Sequence, residues 1–522
     1  MVAPIPEAPE IERHRAAIVR TDISKPVRLA IESAILTQDN TFFDYGSGHG
    51  GDIQRLNKQG YICTGWDPYY RPDSPLASAD IVNLGYVINV IEKTAERREA
   101  LLKAWELTQK VLIVAALVLI DEGRSGQIAY GDGIVTRRKT FQKYYEQEEL
   151  KAYIDQVLGV DAIPVALGIY FVFRDEASAE NFRASRFRSR ARTPRIRISV
   201  QLFEEHKELL EPLMSFFTER GRLPNAVELS NTDKIVEKFG SLRRAFRVVL
   251  RATNQNEWDV ISDTRRQDLM VYLALTKFGR RPRFGSLDET LQNDIRVFFG
   301  NYKQACAAAD LLLLSIGNLG LITNCSKQSK IGKILPNALY VHVSAIEALN
   351  PLLRLYEGCA SRTIGRLDGA TLVKFHLNKP KISYLFYPDF DTDPHPALHT
   401  SMQIDLRDLQ VTYRDYDKSD NPPILHRKET FLTPDYPLYE KFAKLTRQEE
   451  NWGLLDNTKT IGTRKGWQKC LIEHCAELNG HRLRWRKDAD PYKVKLLQSA
   501  HSRRRKGRDV PVERLGAGEE GQ

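Results

Sequence analysis

The sequence predicts an α/β fold for residues 26–175, followed by a helical region and then an α+β region. The first observation is an alternation of strand-like apolar runs with helical patterns, which is typical of a mostly parallel sheet with helices on both faces. The second is that the last two apolar runs are separated only around Gly168, which predicts an antiparallel hairpin at one edge of the sheet. The third is a helical pattern from residue 200 onward.

The strands and helices of the predicted sheet follow from short local signals. The predicted strands are TFFDYG (41–46), ICTGWD (62–67), ADIVNLG (79–85), KVLIVAALV (110–118), DAIPVALG (161–168) and IYFVFRD (169–175). Helical patterns fill the stretches 50–59, 94–109 and 146–157 between them. Each element therefore has its own sequence evidence.

Composition indicates a globular chain of several domains. The chain has 522 residues, of which 42% are hydrophobic, and this length exceeds a single ordinary core. The longest apolar run, VLIVAALVLI at 111–120, is half a membrane span, so we expect a buried strand and no membrane partner. The first residues carry no secretory pattern and the six cysteines are scattered, which favours a cytoplasmic location without disulfides.

The positive charge is concentrated after the predicted sheet. Residues 1–175 carry 20 Lys and Arg against 24 Asp and Glu, which leaves 57 against 43 for the remainder and accounts for the net charge of +10. A basic surplus of this kind is typical of a polyanionic partner or of a solvated surface.

These patterns divide the chain into five regions. The predicted regions are 1–178 for the α/β domain, 179–199 for an Arg-rich linker, 200–320 for a helical region, 321–500 for an α+β domain without assigned function and 501–522 for a disordered tail. The linker holds seven arginines at 183–197, including Arg188, Arg190 and Arg192, and no acid. This segment has two interpretations, a solvated basic linker and a site of nucleic-acid contact, and both stay open.

The helical region contains an internal repeat. GRLP (221–224) with IVEKFGSLRRAFRVVL (235–250) recurs as GRRP (279–282) with IRVFFGNYKQACAAADLL (295–312). Both copies resemble the small helical repeats associated with homing endonucleases, which are helix-turn-helix-like and bind DNA. The resemblance implies outward-facing DNA contacts at Arg243, Arg244 and Lys303, and a plain helical bundle is the alternative.

The stretch FFDYGSGHGGD (42–52) places glycines between a strand and a helix, where backbone N–H groups can approach a charged ligand. Gly46, Gly48 and Gly51 formally satisfy the dinucleotide pattern G-x-G-x-x-G. Two features count against a dinucleotide. An acid, Asp44, stands two residues before the first glycine, and the glycines also fall at 46, 48 and 50.

With that spacing, the stretch resembles motif I of the class I S-adenosylmethionine-dependent methyltransferases, whose sheet is Rossmann-like. The resemblance implies S-adenosylmethionine as cofactor, with Asp44 near its amino acid end and Asp67, which closes the second strand, on the ribose hydroxyls. The implied cofactor-binding residues are Asp44, Gly46, Ser47, Gly48, Gly50, Asp67, Asn83 and Leu84. Only 12 residues separate Asp67 from Asp80, so the adenine-contacting part of the usual pattern is abbreviated and Asp80 is expected to be structural.

Candidate catalytic residues lie at the end of the third predicted strand and directly after it: Asn83, Gly85 and Tyr86. Asn83-Leu-Gly-Tyr86 loosely resembles the Asn-Pro-Pro-Tyr loop of amino-methylating DNA enzymes, although both prolines are missing. The resemblance implies that Asn83 accepts hydrogen bonds from a target amine and that Tyr86 stacks on the base. His49 is a possible base, and a surface histidine is the favoured interpretation.

The C-terminal region adds two dense motifs, YPDFDTDPHPALH (387–399) and NPPILHRKE (421–429). Together with NLGYVINVIE they resemble DNA phosphorothioation-associated methyltransferases over almost the full length. That resemblance implies a methyltransferase domain with an accessory region, DNA as a partner and contact with proteins of the phosphorothioation system. It does not name the methyl acceptor.

The first of these motifs has two interpretations. Asp389, Asp391, Asp393 and His395, with His399, His426, Lys428 or Glu429, could converge on magnesium or manganese as in a nuclease. Asp-Pro-His-Pro is also an ordinary rigid turn in which aspartates bind their own backbone, and we favour the turn, so no metal site is predicted.

The sequence thus predicts an S-adenosylmethionine-dependent methyltransferase that acts on DNA or within a DNA phosphorothioation system. The alternatives are a DNA-binding accessory protein with a non-catalytic methyltransferase fold and a C-terminal metal-dependent nuclease.

Overall fold

The computed structural model describes residues 10–118, 128–198, 200–365, 367, 369–416 and 419–508. The chain forms two compact units. The first comprises Met1–Leu321 with Pro351–Asp368, and the second comprises Ile322–Asn350 with Gly369–Gln522. The predicted α/β domain, Arg-rich linker and helical region therefore share one unit, which also takes in residues 351–368.

The first unit is organised around a six-stranded sheet. Its strands, together with three short ones that form a separate sheet, are β1 Thr41–Tyr45, β2 Ile62–Trp66, β3 Ala79–Gly85, β4 Thr108–Ala115, β5 Ile128–Tyr130, β6 Gly133–Val135, β7 Phe141–Gln142, β8 Ile163–Ala166 and β9 Ile169–Phe173. The large sheet has the order β2-β1-β3-β4-β9-β8. The first four strands of that order are parallel neighbours, and β9 and β8 run antiparallel at the edge. The predicted parallel-rich sheet with a terminal hairpin is confirmed.

Helices cover both faces of this sheet because successive strand residues point to opposite sides. The helices are α1 Lys25–Glu32, α2 Gly51–Lys58, α3 Thr94–Leu107, α4 Gln147–Leu158 and α5 Glu176–Ser185. Phe42 belongs to the core shared with α1, α2 and α5, whereas its neighbour Phe43 belongs to the core shared with α3 and α4. The helix α4 starts at a capping box between Glu146 and Glu149 and ends at Gly159.

The helices after the sheet are α6 Gln201–Glu204, α7 Lys207–Arg220, α8 Thr232–Phe239, α9 Leu242–Ala252, α10 Gln255–Leu275, α11 Glu289–Phe299, α12 Tyr302–Ser315, α13 Leu319–Gln328 and α14 Pro351–Ile364. In the two repeat copies, α8 meets α9 at Gly240 and α11 meets α12 at Gly300, each with a φ of +79°. In each copy the second helix has a side-chain N-cap, from Ser241 and Asn301 respectively. The two copies thus share one local geometry.

The Arg-rich segment is not the free linker that the sequence suggests. Residues 179–185 belong to α5, whose Phe182 packs in the core beneath the sheet. Farther along, buried Ser189 donates its backbone N–H and its hydroxyl to Asp268 of α10, at 2.8 and 2.6 Å. The amino-acid composition shows the positive charge of this segment, but it does not show that Asp268 binds it.

The second unit contains an antiparallel meander and peripheral helices. Its strands and helices are β10 Lys333–Leu335, β11 Ala338–His342, β12 Leu372–His376, β13 Lys381–Phe386, β14 Thr400–Asp405, β15 Val411–Asp415, α15 Tyr439–Asn451, α16 Arg464–Glu473, β16 Ala476–Leu478, β17 Leu483–Trp485 and α17 Pro491–Arg508. The strands β10 to β15 pair in chain order, and β12 pairs antiparallel with β13 across residues 377–380. Residues 501–508, assigned from sequence to a disordered tail, are the last part of α17, and 509–522 lie outside the described residues.

Within the described residues no single helix has the length and apolar character needed to cross a membrane. The helices α12 and α13 reach that composition only as a pair, bent by 92°.

Candidate functional site

The glycine loop, residues 46–50, connects β1 to α2 at the carboxyl end of the parallel strands. The carbonyl of Trp66, the last residue of β2, accepts the N–H groups of Gly46 and Ser47 at 2.8 and 3.0 Å. Gly50 has a φ of +72°, and a Cβ there would lie 2.1 Å from Nη2 of Arg71. The guanidinium of Arg71 can move away from such a Cβ, so the positive φ is the feature that favours glycine at this position.

Asp67 ties this loop to the end of β2. Its Oδ2 accepts the N–H of Gly48 at 2.9 Å, and its Oδ1 accepts the N–H groups of Tyr69 and Tyr70, both at 2.9 Å. A carboxylate has roughly four acceptor positions, so about one is left for a ligand. The structure brings Asp67 to the loop, as the sequence predicts, and shows that it also shapes the loop.

Asp44 and Asn83 face each other across the parallel strands β1 and β3. Asn83 donates its amide N–H to Oδ1 of Asp44 at 2.8 Å. Burial raises the pKa of Asp44 to about 7, with the negative charges of Asp52 and Asp67 acting in the same direction and the Asn83 hydrogen bond and Arg20 opposing. Asp44 is thus a carboxyl group that is mostly protonated below pH 7 and that a nearby cation would ionise.

Among the described residues, three buried polar atoms around the loop have no hydrogen-bond partner. They are Oγ of Ser24, Oγ of Ser47 and Oδ1 of Asn83. A buried, unsatisfied polar atom costs about 1–3 kcal/mol, so such atoms are rare without a reason. Two of them, on Ser47 and Asn83, belong to residues that the sequence predicts to bind the cofactor.

An N-terminal strap, defined as residues 10–24, lies over the loop. The ring of His14 stacks on Tyr69 with centroids 4.1 Å apart, and the hydroxyl of Tyr70 donates to the carbonyl of His14 at 3.1 Å. A Cβ on Gly48 would lie 3.2 Å from Cβ of Ala17. Arg13 holds Glu92 through two hydrogen bonds of 2.7 Å. Sequence reasoning missed this strap because none of its residues carries a motif.

The two remaining predicted residues, Leu84 in β3 and Tyr86 directly after it, have different environments. Tyr86 has a φ of +63°, which is unusual for a bulky residue, and its N–H donates to the carbonyl of Ala115 at 2.8 Å. Burial raises the pKa of the Tyr86 phenol, against the opposing charge of Arg20, whose guanidinium lies 5.5 Å from the ring centroid. The side chain of Leu84 is fully buried in the hydrophobic core, so only its main chain is left for a ligand.

The connection from β2 to β3 is short, as its length in the sequence predicts. The described residues 68–78 contain no helix or strand, and β2 is the edge of the sheet. Asp80 accepts hydrogen bonds from the N–H and the hydroxyl of Thr41 at 3.0 and 3.1 Å, which is a structural role. His49 is exposed, and its ring lies 4.2 Å from that of Tyr70.

The predicted DNA-contacting arginines fall into two groups. Arg188 forms an ion pair with Glu219 at 3.0 Å, and exposed Arg190 and Arg192 each have an interaction within the protein. Arg243 and Arg244 are exposed and form no ion pair within the part of the chain that the structure describes. The structure thus separates arginines that bind the protein from arginines that face solvent.

The exposed face of α9 is entirely basic at its outermost positions. Arg243, Arg247 and Arg251 stand four residues apart on this face, and the opposite face buries apolar residues such as Phe246 and Val249. Residues spaced by four lie on one side of a helix. Lys303 is exposed at the equivalent place near the start of α12.

The acidic motif of the second unit contains a turn. Oδ1 of Asp393 accepts the N–H of His395 at 2.9 Å, which is the side-chain-to-backbone bond expected of such a turn. Asp391 accepts the hydroxyl of Tyr436 at 2.8 Å. In the described residues, the group of side chains close enough to share a metal includes His395 but none of the three aspartates of this motif.

Neither a protein-family model nor a curated protein sequence matches the chain. Among solved structures, a 1,6-didemethyltoxoflavin-N1-methyltransferase of Burkholderia thailandensis, with bound 1,6-didemethyltoxoflavin and S-adenosylhomocysteine, is 12% identical over 28% of this chain and 79% of its own, with a TM-score of 0.22. An amino pentose methyltransferase of Micromonospora echinaspora, with bound S-adenosylmethionine, is 13% identical over 31% of this chain and 94% of its own, with a TM-score of 0.24. An O-methyltransferase family protein of Burkholderia thailandensis is 14% identical over 28% of this chain and 55% of its own, with a TM-score of 0.20. Scores this low carry no argument, so the function proposed below rests on the chain's own geometry.

Proposed function

We propose that the first unit binds S-adenosylmethionine at the glycine loop and that the chain is a methyltransferase with DNA as its acceptor. The observation that carries the proposal is the meeting of a buried, proton-holding Asp44 with a tight glycine loop and a second carboxylate, Asp67, at the ends of adjacent parallel strands. Ligands of open α/β sheets bind at that edge.

The residues near Asp44 fit the amino acid end of the cofactor. An ammonium group would offer N–H donors and a positive charge to Asp44, whose burial otherwise disfavours its ionised form. The unpartnered Oδ1 of Asn83 and Oγ of Ser47 supply further polar atoms beside it. Four of the five N–H groups of the loop are already bonded within the protein, so the N–H groups at the start of α2, which have no intrahelical partner, are the ones that suit the carboxylate of the same end.

The residues near Asp67 fit a ribose. One acceptor position of this carboxylate is free of backbone donors, and a sugar hydroxyl can donate to it. Tyr69, which is 59% exposed, stands two residues further on and offers an aromatic face beside the short β2–β3 connection.

The chemistry requires mainly positioning. Bound S-adenosylmethionine supplies a methyl group on a positively charged sulfur, and transfer is a single displacement. The chain's residues then have to orient the acceptor, exclude water and accept a proton where needed. Asn83 and Tyr86, at the end of β3, are the residues we assign to the acceptor, and the strap shields the loop from solvent.

DNA is the acceptor that the basic surface favours. The arginines of α9 face solvent on one side of a helix that follows a glycine turn, which is the arrangement of a helix entering a groove. The resemblance in the C-terminal motifs adds the proposal that the chain works with proteins of a DNA phosphorothioation system.

The test is to give the full chain labelled cofactor together with phosphorothioated DNA, unmodified DNA, RNA and cell extract. We expect label in DNA, and none when Asp44 is replaced by Asn. The matched control is Asp73→Asn, because Asp73 is an exposed acid near the same loop. The proposal is refuted if calorimetry detects no binding of the cofactor to the folded protein.

A second candidate is a DNA-binding protein in which this fold is a non-catalytic scaffold. The specific observation in its favour is that Arg71 and the strap already cover the glycine loop. It predicts salt-sensitive DNA binding without methyl transfer. Label incorporated into DNA would eliminate it.

A further inference from the structure

The second unit contains a buried cluster of two histidines and a glutamate. His395 follows the Asp-Pro turn after β13, His426 lies between β15 and α15, and Glu449 lies on α15. One ligand-type atom from each lies within 4.8 Å of the other two. Nε2 of His395 is 2.6 Å from Oε1 of Glu449, and their side chains are only 5% and 1% exposed.

The three converging atoms have no hydrogen-bond partner in the part of the chain that the structure describes. Nε2 of His395, Nδ1 of His426 and Oε1 of Glu449 are all buried and unsatisfied. The close contact of His395 with Glu449 does not change this, because their relative orientation does not make a directed hydrogen bond. Three unsatisfied atoms aimed at one place are costly for folding unless a common partner binds them.

The surroundings prepare the two imidazoles as ligands. Nε2 of His426 lies 2.8 Å from the carbonyl of Ile461. Since a carbonyl only accepts, this nitrogen carries the proton and Nδ1 keeps its lone pair for a ligand. The backbone N–H of His395 donates to Asp393, which holds the main chain at this position, and Trp467 packs 4.5 and 4.6 Å from the two rings. Such supporting contacts are typical of metal-binding histidines.

We propose that His395, His426 and Glu449 bind one divalent transition metal ion, with zinc as the best match. Two imidazole nitrogens and one carboxylate oxygen are a known zinc ligand set, whereas magnesium and calcium prefer oxygen ligands. A fourth position is open to a water or to the second oxygen of Glu449. The ligands come from segments 31 and 23 positions apart in the sequence, so the ion would hold three segments of the second unit together.

The distances allow such an ion after a small adjustment. Zinc bonds of about 2.1 Å in a tetrahedron separate ligand atoms by about 3.4 Å. His395 and Glu449 would therefore move apart by under about 1 Å, which rotation about the terminal torsion of a glutamate accommodates. The site belongs to the second unit and is independent of the methyltransferase proposal.

The experiment uses the full chain, purified without chelator. We expect elemental analysis to find about one zinc per chain, and chelation to lower the melting temperature. After chelation, titration with zinc should restore the melting temperature, and cobalt should give the absorption bands of a tetrahedral site. Glu449→Gln, which keeps the shape of the side chain, should weaken zinc binding at least about tenfold.

The control is His376→Gln. His376 is also a largely buried histidine of the second unit, but it bonds to Ser383 and lies outside the cluster. This variant should keep its zinc and its response to chelation.

The proposal is overturned if the wild-type chain holds under about a tenth of an equivalent of zinc after titration and its melting is indifferent to chelator. The cluster would then be a proton-sharing group only. Because this outcome is read from the wild-type chain, it stands even if a variant fails to fold.

Discussion

The pH dependence of cofactor affinity tests the role assigned to Asp44. In the free protein the pKa of this carboxyl group is about 7, chiefly because of its burial. An ammonium ligand pairs with the ionised form, so binding lowers the pKa and releases a proton. Affinity is therefore fully present above pH 7 and is lost as the pH falls below it.

The size of the effect follows from that pKa. Asp44 is about 3% ionised at pH 5.5 and about half ionised at pH 7, so the affinity should rise about 16-fold between these two values. The ligand's own α-amino group stays mostly protonated in this range because its ordinary pKa is about 7.7–8.0. The rise therefore reports on the protein.

Isothermal calorimetry at half-unit pH steps measures this rise directly. The Asp44→Asn variant, which cannot ionise, should bind more weakly at pH 7 and should show no such slope. Circular dichroism at each pH checks that both proteins remain folded. A wild-type affinity that does not change with pH, or an equal slope in the variant, refutes the reasoning.

Three further predictions concern the loop and the basic helix. Gly50→Ala should lower the melting temperature and weaken cofactor binding, because its added Cβ displaces the Arg71 guanidinium, whereas Gly159→Ala, which has a similar positive φ of +68° but nothing within 4 Å of its added Cβ, should cause only the strain-related loss of about 1 kcal/mol. Asp67→Asn offers fewer acceptor positions to the three backbone N–H groups that it holds, so calorimetric affinity for the cofactor should fall and the fold should lose about 1–3 kcal/mol. Arg243→Ala should weaken DNA binding and reduce the slope of log affinity against log salt by about 0.9, measured by fluorescence anisotropy, whereas Arg98→Ala on α3 should leave that slope unchanged.

The sheet of the first unit was predictable because its signals are local. Each of the strands β1 to β3 is an apolar run that ends at or beside a glycine or an acid, β4 is the start of a longer apolar run, and the hairpin is marked by the break at Gly168. The same local reasoning predicts that Asp44 and Asp67 lie at the carboxyl edge of the sheet, because the ends of neighbouring parallel strands meet there.

Contacts between distant segments were not predictable in this way. The strap depends on pairs such as His14 with Tyr69 and Arg20 with Tyr86, which are more than 50 positions apart and belong to no motif. The small sheet of β5 to β7 was missed although Gly131-Asp132 between two short apolar runs is a hairpin signal. The signal was present there, but the flanking strands are only three residues long.

The burial of Glu449 follows from the helical spacing of α15, although no motif in the sequence marks this residue. Phe442, Leu445, Thr446 and Glu449 follow the spacing of one helical face, and all four are buried. The next residue, Glu450, is also a glutamate, and it pairs with Arg427. Because both acids stand in one run of polar residues, composition alone does not show which of them is buried. An acid on the buried face of an amphipathic helix needs a cation, a proton or a hydrogen-bond donor, and two histidines had already been singled out nearby in the chain. The helical spacing of α15 therefore adds Glu449 to the two histidines as a third candidate ligand. The zinc measurement decides whether this cluster binds a metal ion or a proton.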